Sequence, residues 1–285
     1  MLNVKLYSLV LILGIIFNSC SKESYESQVP AYISIDQITL TTNLVAEGSA
    51  SSNITDAWVY INDDLVGVYE LPATFPVIKE GLVNLKVYAG IKDNGIAASR
   101  ARYLLYAPYS EQINLVKGET VKIIPQVSYD VGAKFTWLED FENASLSFLY
   151  STGNDTTINK TTTDVKEGIY SGRVYLTTTM DFFEATSVGF TNLPNSGTPI
   201  YLELDFKTNE PLLIGVYLDT DQYSMMTLNV TSTWKKIYIN LTDIINSKPN
   251  AAEVKVFFGV KETTTSPFVS TNPEILLDNI KLVHY

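Results

Sequence analysis

Histidine and cysteine are almost absent from this sequence. The 285 residues contain one histidine, His284, at the penultimate position, and one cysteine, Cys20. A Ser-His-Asp triad and a histidine-ligated zinc site both require histidine, and a single cysteine has no intramolecular disulfide partner. No glycine-rich phosphate-binding loop precedes a helical segment. An enzyme would have to work with carboxylates, Tyr, Lys or Arg alone, and we predict that the chain is not an enzyme.

Positive charge is also scarce. The sequence has 20 Lys and Arg against 31 Asp and Glu, which gives a formal net charge of −11. Nucleic acids are bound through clusters of Lys and Arg that neutralise phosphates, and anionic lipid surfaces attract the same clusters. The composition therefore predicts no nucleic-acid partner and no electrostatic docking on a membrane.

No long segment shows helical periodicity, whereas residues that favour strands are abundant. The chain contains 18 Tyr and 12 Phe, together with many Val, Ile and Thr. Hydrophobic residues make up 46% of the chain, which is enough for packed cores. We expect an all-β protein, and the length suits two domains of ordinary size.

The longest apolar run lies at the N-terminus, from Leu6 to Phe17 behind the basic residue Lys5. It is shorter than the roughly 20 apolar residues that span a bilayer, and its position is typical of a secretory signal peptide. The run ends at Asn18-Ser19-Cys20, which resembles the lipobox of bacterial lipoproteins. That resemblance implies a signal peptide of residues 1–19 and a lipid-modified, palmitate-carrying Cys20. The alternative is an ordinary cleaved signal peptide.

Residues 20–29 would then form the lipidated cysteine and a polar tether. Ser21 stands where Asp is the usual inner-membrane retention signal, and Lys22-Glu23 resembles a short acidic signal for export to the cell surface. We expect an anchor in the lipid bilayer of the outer membrane through Cys20, on its periplasmic or surface face, with the surface favoured.

Residues 30–128 alternate between short strand-like segments and turn signals. Asn62-Asp63-Asp64 and Asp93-Asn94-Gly95 are turns, because Asn, Asp and Gly tolerate left-handed backbone. Ile33, Ile35 and Ile38 alternate with polar residues. This spacing predicts an antiparallel β-sandwich. The stretch AWVYINDDLVGVYELPATFPVIKEGLVNLKV resembles PEGA-type and related Ig-like modules of bacterial surface proteins, which implies a spacer or docking platform.

A linker at residues 129–134 is predicted to precede a second domain, residues 135–285. About eight strands are expected there, the number of a jelly-roll β-sandwich. The predicted strands are 144–150, 173–180, 200–207, 212–218, 225–230, 234–241, 253–260 and 275–283.

Four motifs follow one another in this second domain. They are Trp137-Leu138-Glu139-Asp140-Phe141-Glu142, Glu167-Gly168-Ile169-Tyr170-Ser171-Gly172-Arg173, Thr233-Trp234-Lys235-Lys236-Ile237 and Leu277-Asp278-Asn279-Ile280. Their order resembles the galactose-binding-like jelly roll of many carbohydrate-binding modules. The resemblance implies the fold but no particular ligand.

The same family implies a structural calcium ion where the first and last strands meet. Its ligands would be Asp140 or Glu142, Asp278, and backbone carbonyls near Gly168 and Gly172, since hard oxygen ligands suit calcium. The alternative is that these carboxylates are solvated at a strand edge. No other cofactor is expected.

Strand alternation assigns a candidate ligand site. It places Tyr175, Tyr217 and Phe257 on the outer face of one sheet, with Arg173 and Lys255 beside them. Aromatic rings attract the C–H face of sugars, so this row predicts glycan binding. Alternatively, the face packs on the first domain or on a partner.

Glu203-Leu204-Asp205 resembles part of the E-x-D-x-E signature of a jelly-roll hydrolase family, but Lys207 occupies the third carboxylate position. We interpret the pair as part of a solvated face. The sequence therefore predicts a non-catalytic outer-membrane lipoprotein that binds polysaccharide through its C-terminal jelly roll. The alternative is a structural or accessory subunit of a cell-envelope assembly that binds protein.

Overall fold

The computed structural model describes residues 29–263 and 266–285. The predicted signal peptide and the lipidation site at Cys20 lie outside these ranges. Within them, no helix combines the length and the apolar character needed to cross a membrane. The described chain consists almost entirely of β-strands, as the composition predicts, and each half folds as a β-sandwich, so the all-β fold class is confirmed.

The N-terminal half, residues 29–128, forms two facing layers. Its elements are β1 (Ala31–Ile35), β2 (Thr39–Thr41), α1 (Leu44–Glu47), β3 (Asp56–Ile61), β4 (Asp64–Glu70), β5 (Ala73–Val77), β6 (Gly81–Lys92), β7 (Arg100–Arg102), β8 (Tyr109–Leu115), β9 (Thr120–Ile123) and β10 (Gln126–Ser128).

In one layer β1 lies between β5 and β9, with β2 and β10 paired separately, and the other layer has the order β4-β3-β6 with β7 and β8 both on β6. Ile33, Ile35 and Ile38 are buried in the core, as their alternation predicts. The hairpin between β3 and β4 turns at Asn62 and Asp63, whose φ angles of 52° and 67° confirm the predicted left-handed turn.

The C-terminal half, residues 134–285, is a second sandwich. Its elements are β11 (Lys134–Glu139), β12 (Phe148–Tyr150), β13 (Asn159–Thr161), β14 (Ser171–Tyr175), β15 (Phe182–Ser187), β16 (Ile200–Thr208), β17 (Leu212–Leu218), β18 (Asp221–Leu228), β19 (Lys235–Asn240), α2 (Thr242–Asn246), β20 (Val254–Lys261) and β21 (Glu274–His284).

These strands form a six-stranded sheet and a five-stranded sheet. The six-stranded sheet has the order β13-β14-β21-β16-β19, with β11 also pairing with β21, and the five-stranded sheet has the order β12-β15-β20-β17-β18. Their inner faces share one core, to which Leu202 and Leu204 contribute from β16 and Phe258 from β20. The sequence prediction missed β15.

The opening motif and the glycine motif meet inside this half. Phe141 has a φ of 61° and is fully buried. A Cβ at Gly172 would lie 2.2 Å from the Phe141 ring, so only glycine fits there. Gly168, at φ 72°, brings the backbone to Glu142, whose Oε1 accepts hydrogen bonds from the N–H groups of Ile169 and Tyr170 at 2.8 and 2.9 Å. Both motifs therefore serve the fold.

The outer face of the six-stranded sheet packs against the N-terminal half and buries charged residues. Glu203 and Asp205 are both fully buried, so the interpretation of this pair as a solvated face is wrong. Glu203 accepts hydrogen bonds from Tyr103 at 2.6 Å and from Tyr129 at 2.9 Å. Asp205 accepts one from Ser51 at 2.9 Å. Hydroxyl groups of the N-terminal half thus donate hydrogen bonds to both carboxylates.

Two lysines balance these carboxylates. The Lys236 ammonium lies 3.6 Å from Glu203 and 3.9 Å from Asp205. The Lys281 ammonium donates to the Ser49 carbonyl at 2.6 Å and to Tyr129 at 3.1 Å. A buried charge network therefore joins the halves, and in the described structure no open site surrounds the Glu203-Leu204-Asp205 segment.

Candidate functional site

The outer face of the five-stranded sheet is open and carries part of the predicted site. Tyr217 on β17 stands opposite Lys255 on β20, and the rings of Tyr217 and Phe257 lie 5.4 Å apart in an edge-to-face arrangement. Lys255 also pairs with Glu253 at 2.7 Å. These three predicted residues do share one face.

Phe257 forms the floor of this face and is fully buried. Its ring lies over Gly215, where a Cβ would be 2.4 Å from the ring and 2.2 Å from the Tyr223 carbonyl oxygen. Any larger residue at that position would displace the ring or the neighbouring strand. The expectation that Phe257 stacks on a sugar as an exposed platform is therefore wrong, because the ring supports the face from beneath.

Glu184 is the polar centre of the face. It projects from β15, is 9% exposed, and accepts hydrogen bonds from the Tyr217 hydroxyl and the Gln222 amide, each at 2.9 Å. The Ser151 hydroxyl donates to the same carboxylate. Burial, and then the hydrogen bond to Glu184, raises the pKa of Tyr217 to about 12. Tyr217 therefore stays protonated at neutral pH and acts as the donor to Glu184.

A cavity of about 390 Å³ opens above this network. Phe182, Glu184, Gln222 and Phe257 line it, and its rim includes Ser266, Pro267 and Val269. Buried Glu210 holds that rim by accepting from the N–H groups of Val269 and Ser270 at 2.8 and 3.1 Å. The volume falls within the range of small-molecule sites, which combine an apolar lining with a few converging polar groups.

The other two predicted ligand residues lie elsewhere. Tyr175 and Arg173 are on β14, which belongs to the six-stranded sheet, so the prediction of one shared aromatic row is wrong. Arg173 pairs with Glu274 at 2.5 Å, and the Tyr175 hydroxyl donates to Asn272 at 3.1 Å. The error arose because β14 lies in the six-stranded sheet and the chain returns to the five-stranded sheet only at β15, after the segment predicted as a single strand 173–180.

The predicted calcium ligands each hold a loop through backbone hydrogen bonds. Asp140 accepts from the Glu142 N–H at 3.0 Å, and Glu142 holds the loop at Gly168. Asp278 is buried and accepts from the N–H groups of Lys166 and Glu167, each at 3.2 Å. In the described ranges, no three or more acidic, histidine or cysteine side chains form a group that suits a metal ion. These carboxylates anchor loops in the described structure, and the calcium ion stays a prediction.

Sequence reasoning missed Phe182, Glu184 and Gln222. The signal for the first two is the alternation in FFEATS, where Phe183 and Ala185 point into the core and Phe182, Glu184 and Thr186 point to the outer face. The strand that contains Gln222 was predicted to begin at residue 225, but β18 begins at Asp221.

Comparison with known proteins gives distant structural likeness. No family model matches the chain, and no curated protein matches it. A CBM22-1 xylan-binding domain from Paenibacillus barcinonensis Xyn10C is 12% identical, covering 53% of this chain and 95% of that one, with a TM-score of 0.40. TmCBM61, solved with β-1,4-galactotriose, is 13% identical over 48% of this chain and 88% of that one, with a TM-score of 0.33.

A third similar structure is the enzymatically active domain of tailspike protein 4 from bacteriophage CBA120. It is 18% identical, and the match covers 51% of this chain and 20% of that chain, with a TM-score of 0.38.

Proposed function

We propose that the protein binds glycan, without catalysis, through the outer face of the five-stranded sheet. The observation that carries this proposal is the cavity of about 390 Å³ in which the Glu184 network lies above an aromatic floor. A sugar presents hydroxyl groups at its edge and C–H groups on its faces. Glu184 and Gln222 offer an acceptor and a donor to the hydroxyls, and Phe182 offers a half-exposed ring to the C–H face.

The negative charge and the open shape of the face favour a neutral, hydroxyl-rich part of the glycan at this position. Glu184 and Glu210 both line the cavity, and Lys261 is the cation among the described lining residues. A carboxylate with three donors already fixed by the protein is held in one orientation, which reduces the entropy lost when a hydroxyl group binds to it.

The first test measures glycan binding by the full chain, solubilised in detergent, on an array of polysaccharides with calcium and with chelator. Glu184→Gln and Tyr217→Phe should each weaken the affinity for the bound glycan about tenfold, equivalent to about 1.4 kcal/mol. Glu184→Gln removes the negative charge of the acceptor, and Tyr217→Phe removes one of the hydrogen bonds that orient it. Isothermal titration with the best glycan measures the change. Tyr175→Phe, on the opposite sheet, is the matched control and should leave the affinity unchanged.

Equal affinity in the Glu184 and Tyr217 variants would show that the glycan does not use this face. Absence of binding to every glycan by the folded protein would refute the proposal and favour the alternative of an envelope-assembly subunit that binds protein.

The proposal includes a lipid anchor at Cys20 in the outer membrane, with the binding halves at the cell surface. Its support is the sequence: a short apolar run behind Lys5 that ends at the only cysteine. Cells fed with labelled palmitate should incorporate label into the wild-type protein and not into Cys20→Ser. Protease added to intact cells should digest a surface-exposed protein. Label retained in the Cys20→Ser variant would refute the anchor.

A further inference from the structure

A second cavity, of about 560 Å³, lies in the cleft between the two halves. Asn53, Thr55 and Lys92 line it from the N-terminal half, and Met226 and Lys235 are among the residues that line it from the C-terminal half. It is larger than the cavity on the five-stranded sheet. The buried charge network closes the bottom of this cleft, since Lys236 belongs both to its lining and to the network.

The lining of the cleft has a charge opposite to that of the whole chain. Among its described residues are three lysines and no Asp or Glu, in a chain of net charge −11. Lys235 is exposed and forms no ion pair with any residue that the structure describes. Lys92 pairs with Glu70 at 3.4 Å, and Glu70 also contacts Arg100 at 2.7 Å. Lys235, and Lys92 after a small movement of its ammonium, can therefore meet an anion.

The cleft adjoins the first cavity at a single residue. Thr227 lines both cavities, and it lies on β18, the edge strand of the five-stranded sheet, opposite Leu213. Thr227 is exposed. An extended ligand that lies on the sheet can therefore pass over the edge strand at Thr227 and enter the cleft without crossing a buried ridge.

From this continuity and the charge of the lining, we infer that the cleft is a second subsite that binds carboxylate-bearing sugars of an acidic polysaccharide whose neighbouring units occupy the sheet face. This inference rests on the proposed function. Lys235 and Lys92 contact the carboxylates, and Asn53, Thr55 and Thr227 hydrogen-bond to hydroxyl groups. Glu184 binds the hydroxyl-rich part of the same chain, where a second carboxylate would be repelled.

The test compares hyaluronan and chondroitin, in which carboxylate-bearing sugars alternate with neutral ones, with their carboxyl-reduced derivatives, in which the carboxylates have become primary alcohols. The full chain is solubilised in detergent, and affinity electrophoresis and titration measure binding. Wild-type protein should bind at least one acidic polymer at least tenfold more tightly than its reduced form, and added salt should remove most of this difference.

Variants separate the two subsites. The Lys92→Ala, Lys235→Ala double variant should lose about tenfold in affinity for the acidic polymer and should retain its affinity for the reduced one. Lys122→Ala, which removes an exposed lysine from β9, is the control for the change in net charge and should behave as the wild type. Glu184→Gln should weaken binding of both polymers.

Each outcome has a distinct meaning. If Glu184→Gln weakens binding while the double lysine variant does not, the proposed function stands and the inference is wrong. If the lysine variant weakens binding while Glu184→Gln has no effect, the glycan does not use the sheet face, and both the continuous path and the proposed function are wrong. If no acidic polymer binds better than its reduced form, the assigned ligand class is wrong.

Discussion

Lys236→Met is expected to lower the free energy of unfolding by about 3–5 kcal/mol, because it removes one member of a buried charge pair. The Lys236 side chain is 3% exposed and lies beside Glu203 and Asp205, both of which are fully buried. Without the Lys236 ammonium group, one buried cation, Lys281, remains for the two negative charges of Glu203 and Asp205. Urea denaturation followed by tryptophan fluorescence measures the change.

Lys255→Met is the matched control, since Lys255 is partly exposed and pairs with Glu253 at 2.7 Å. Surface pairs of this kind contribute about 0–1 kcal/mol. Adding Glu203→Gln to Lys236→Met should recover part of the lost stability. The Glu203 side chain, which Lys236→Met leaves without its cation, is then neutral as well. Equal losses for the two lysine variants would show that the buried network does not hold the halves together.

Raising the pH from 8 to 9 is expected to stabilise the protein, because the Lys281 side chain is easier to bury without its charge. Burial lowers the pKa of Lys281 from 10.5 to about 8. Below pH 8 the side chain is charged in both the folded and the unfolded state, and the full cost of burying the charge is present. Between pH 8 and 10.5 the folded state releases its proton first, so this cost disappears as the pH rises.

The full shift corresponds to at most about 3 kcal/mol. Unfolding free energies at pH 8, 8.5 and 9 test it, and Lys281→Met should flatten the rise. Near pH 10 the buried tyrosines, whose pKa values are raised by burial, act in the opposite direction, because they ionise first in the unfolded state. Lys248 provides a comparison of opposite sign. Its hydrogen bonds to Asp219 and Asp221 raise its pKa, so its contribution is lost only as the pH rises above its unfolded value of 10.5. A stability that falls steadily from pH 8 to 9, with the same slope in Lys281→Met, would contradict the assignment to Lys281.

The two predictions are coupled. The charge of Lys236 is among the causes that lower the pKa of Lys281. Lys236→Met should therefore raise the pKa of Lys281 and move the stabilisation to higher pH. An unchanged pH range in that variant would show that the two ammonium groups do not interact.

The sequence predicts most strands because their faces differ in polarity. Ile33 and Ile35 alternate with polar residues, and left-handed Asn62 and Asp63 fit a tight turn, so local chemistry and final structure agree. A strand with one solvent-exposed face shows this alternation of apolar and polar residues regardless of the rest of the chain.

The strand β15 was missed for the opposite reason. Both of its faces are nearly buried, since Phe183 and Ala185 lie in the core while Glu184 and Thr186, on the outer face, are each 9% exposed. The preceding Thr-rich residues also have high strand propensity, so one strand was predicted where the chain crosses from one sheet to the other. Local sequence cannot show that crossing, and the candidate site was therefore predicted with Tyr217 and Phe257 but without Glu184.

The interface between the halves could not be predicted from local sequence either. Glu203, Asp205 and Lys236 alternate with apolar residues and match the pattern of a solvated face. Their partners, Tyr103, Tyr129 and Ser51, lie far earlier in the chain. Only the docking of the halves shows that these charges are satisfied inside the protein.

The charge network also limits how this protein can be divided or recombined. β-sandwich domains joined by flexible linkers can be exchanged between proteins as independent cassettes. Here a cut within residues 129–134 would remove the partners of Glu203 from one fragment and leave Tyr103, which is 1% exposed in the whole chain, at the surface of the other. We expect a transplant of the five-stranded sheet onto another scaffold to need both sandwiches, and a gene duplication or fusion to preserve the fold only if it copies them as a pair.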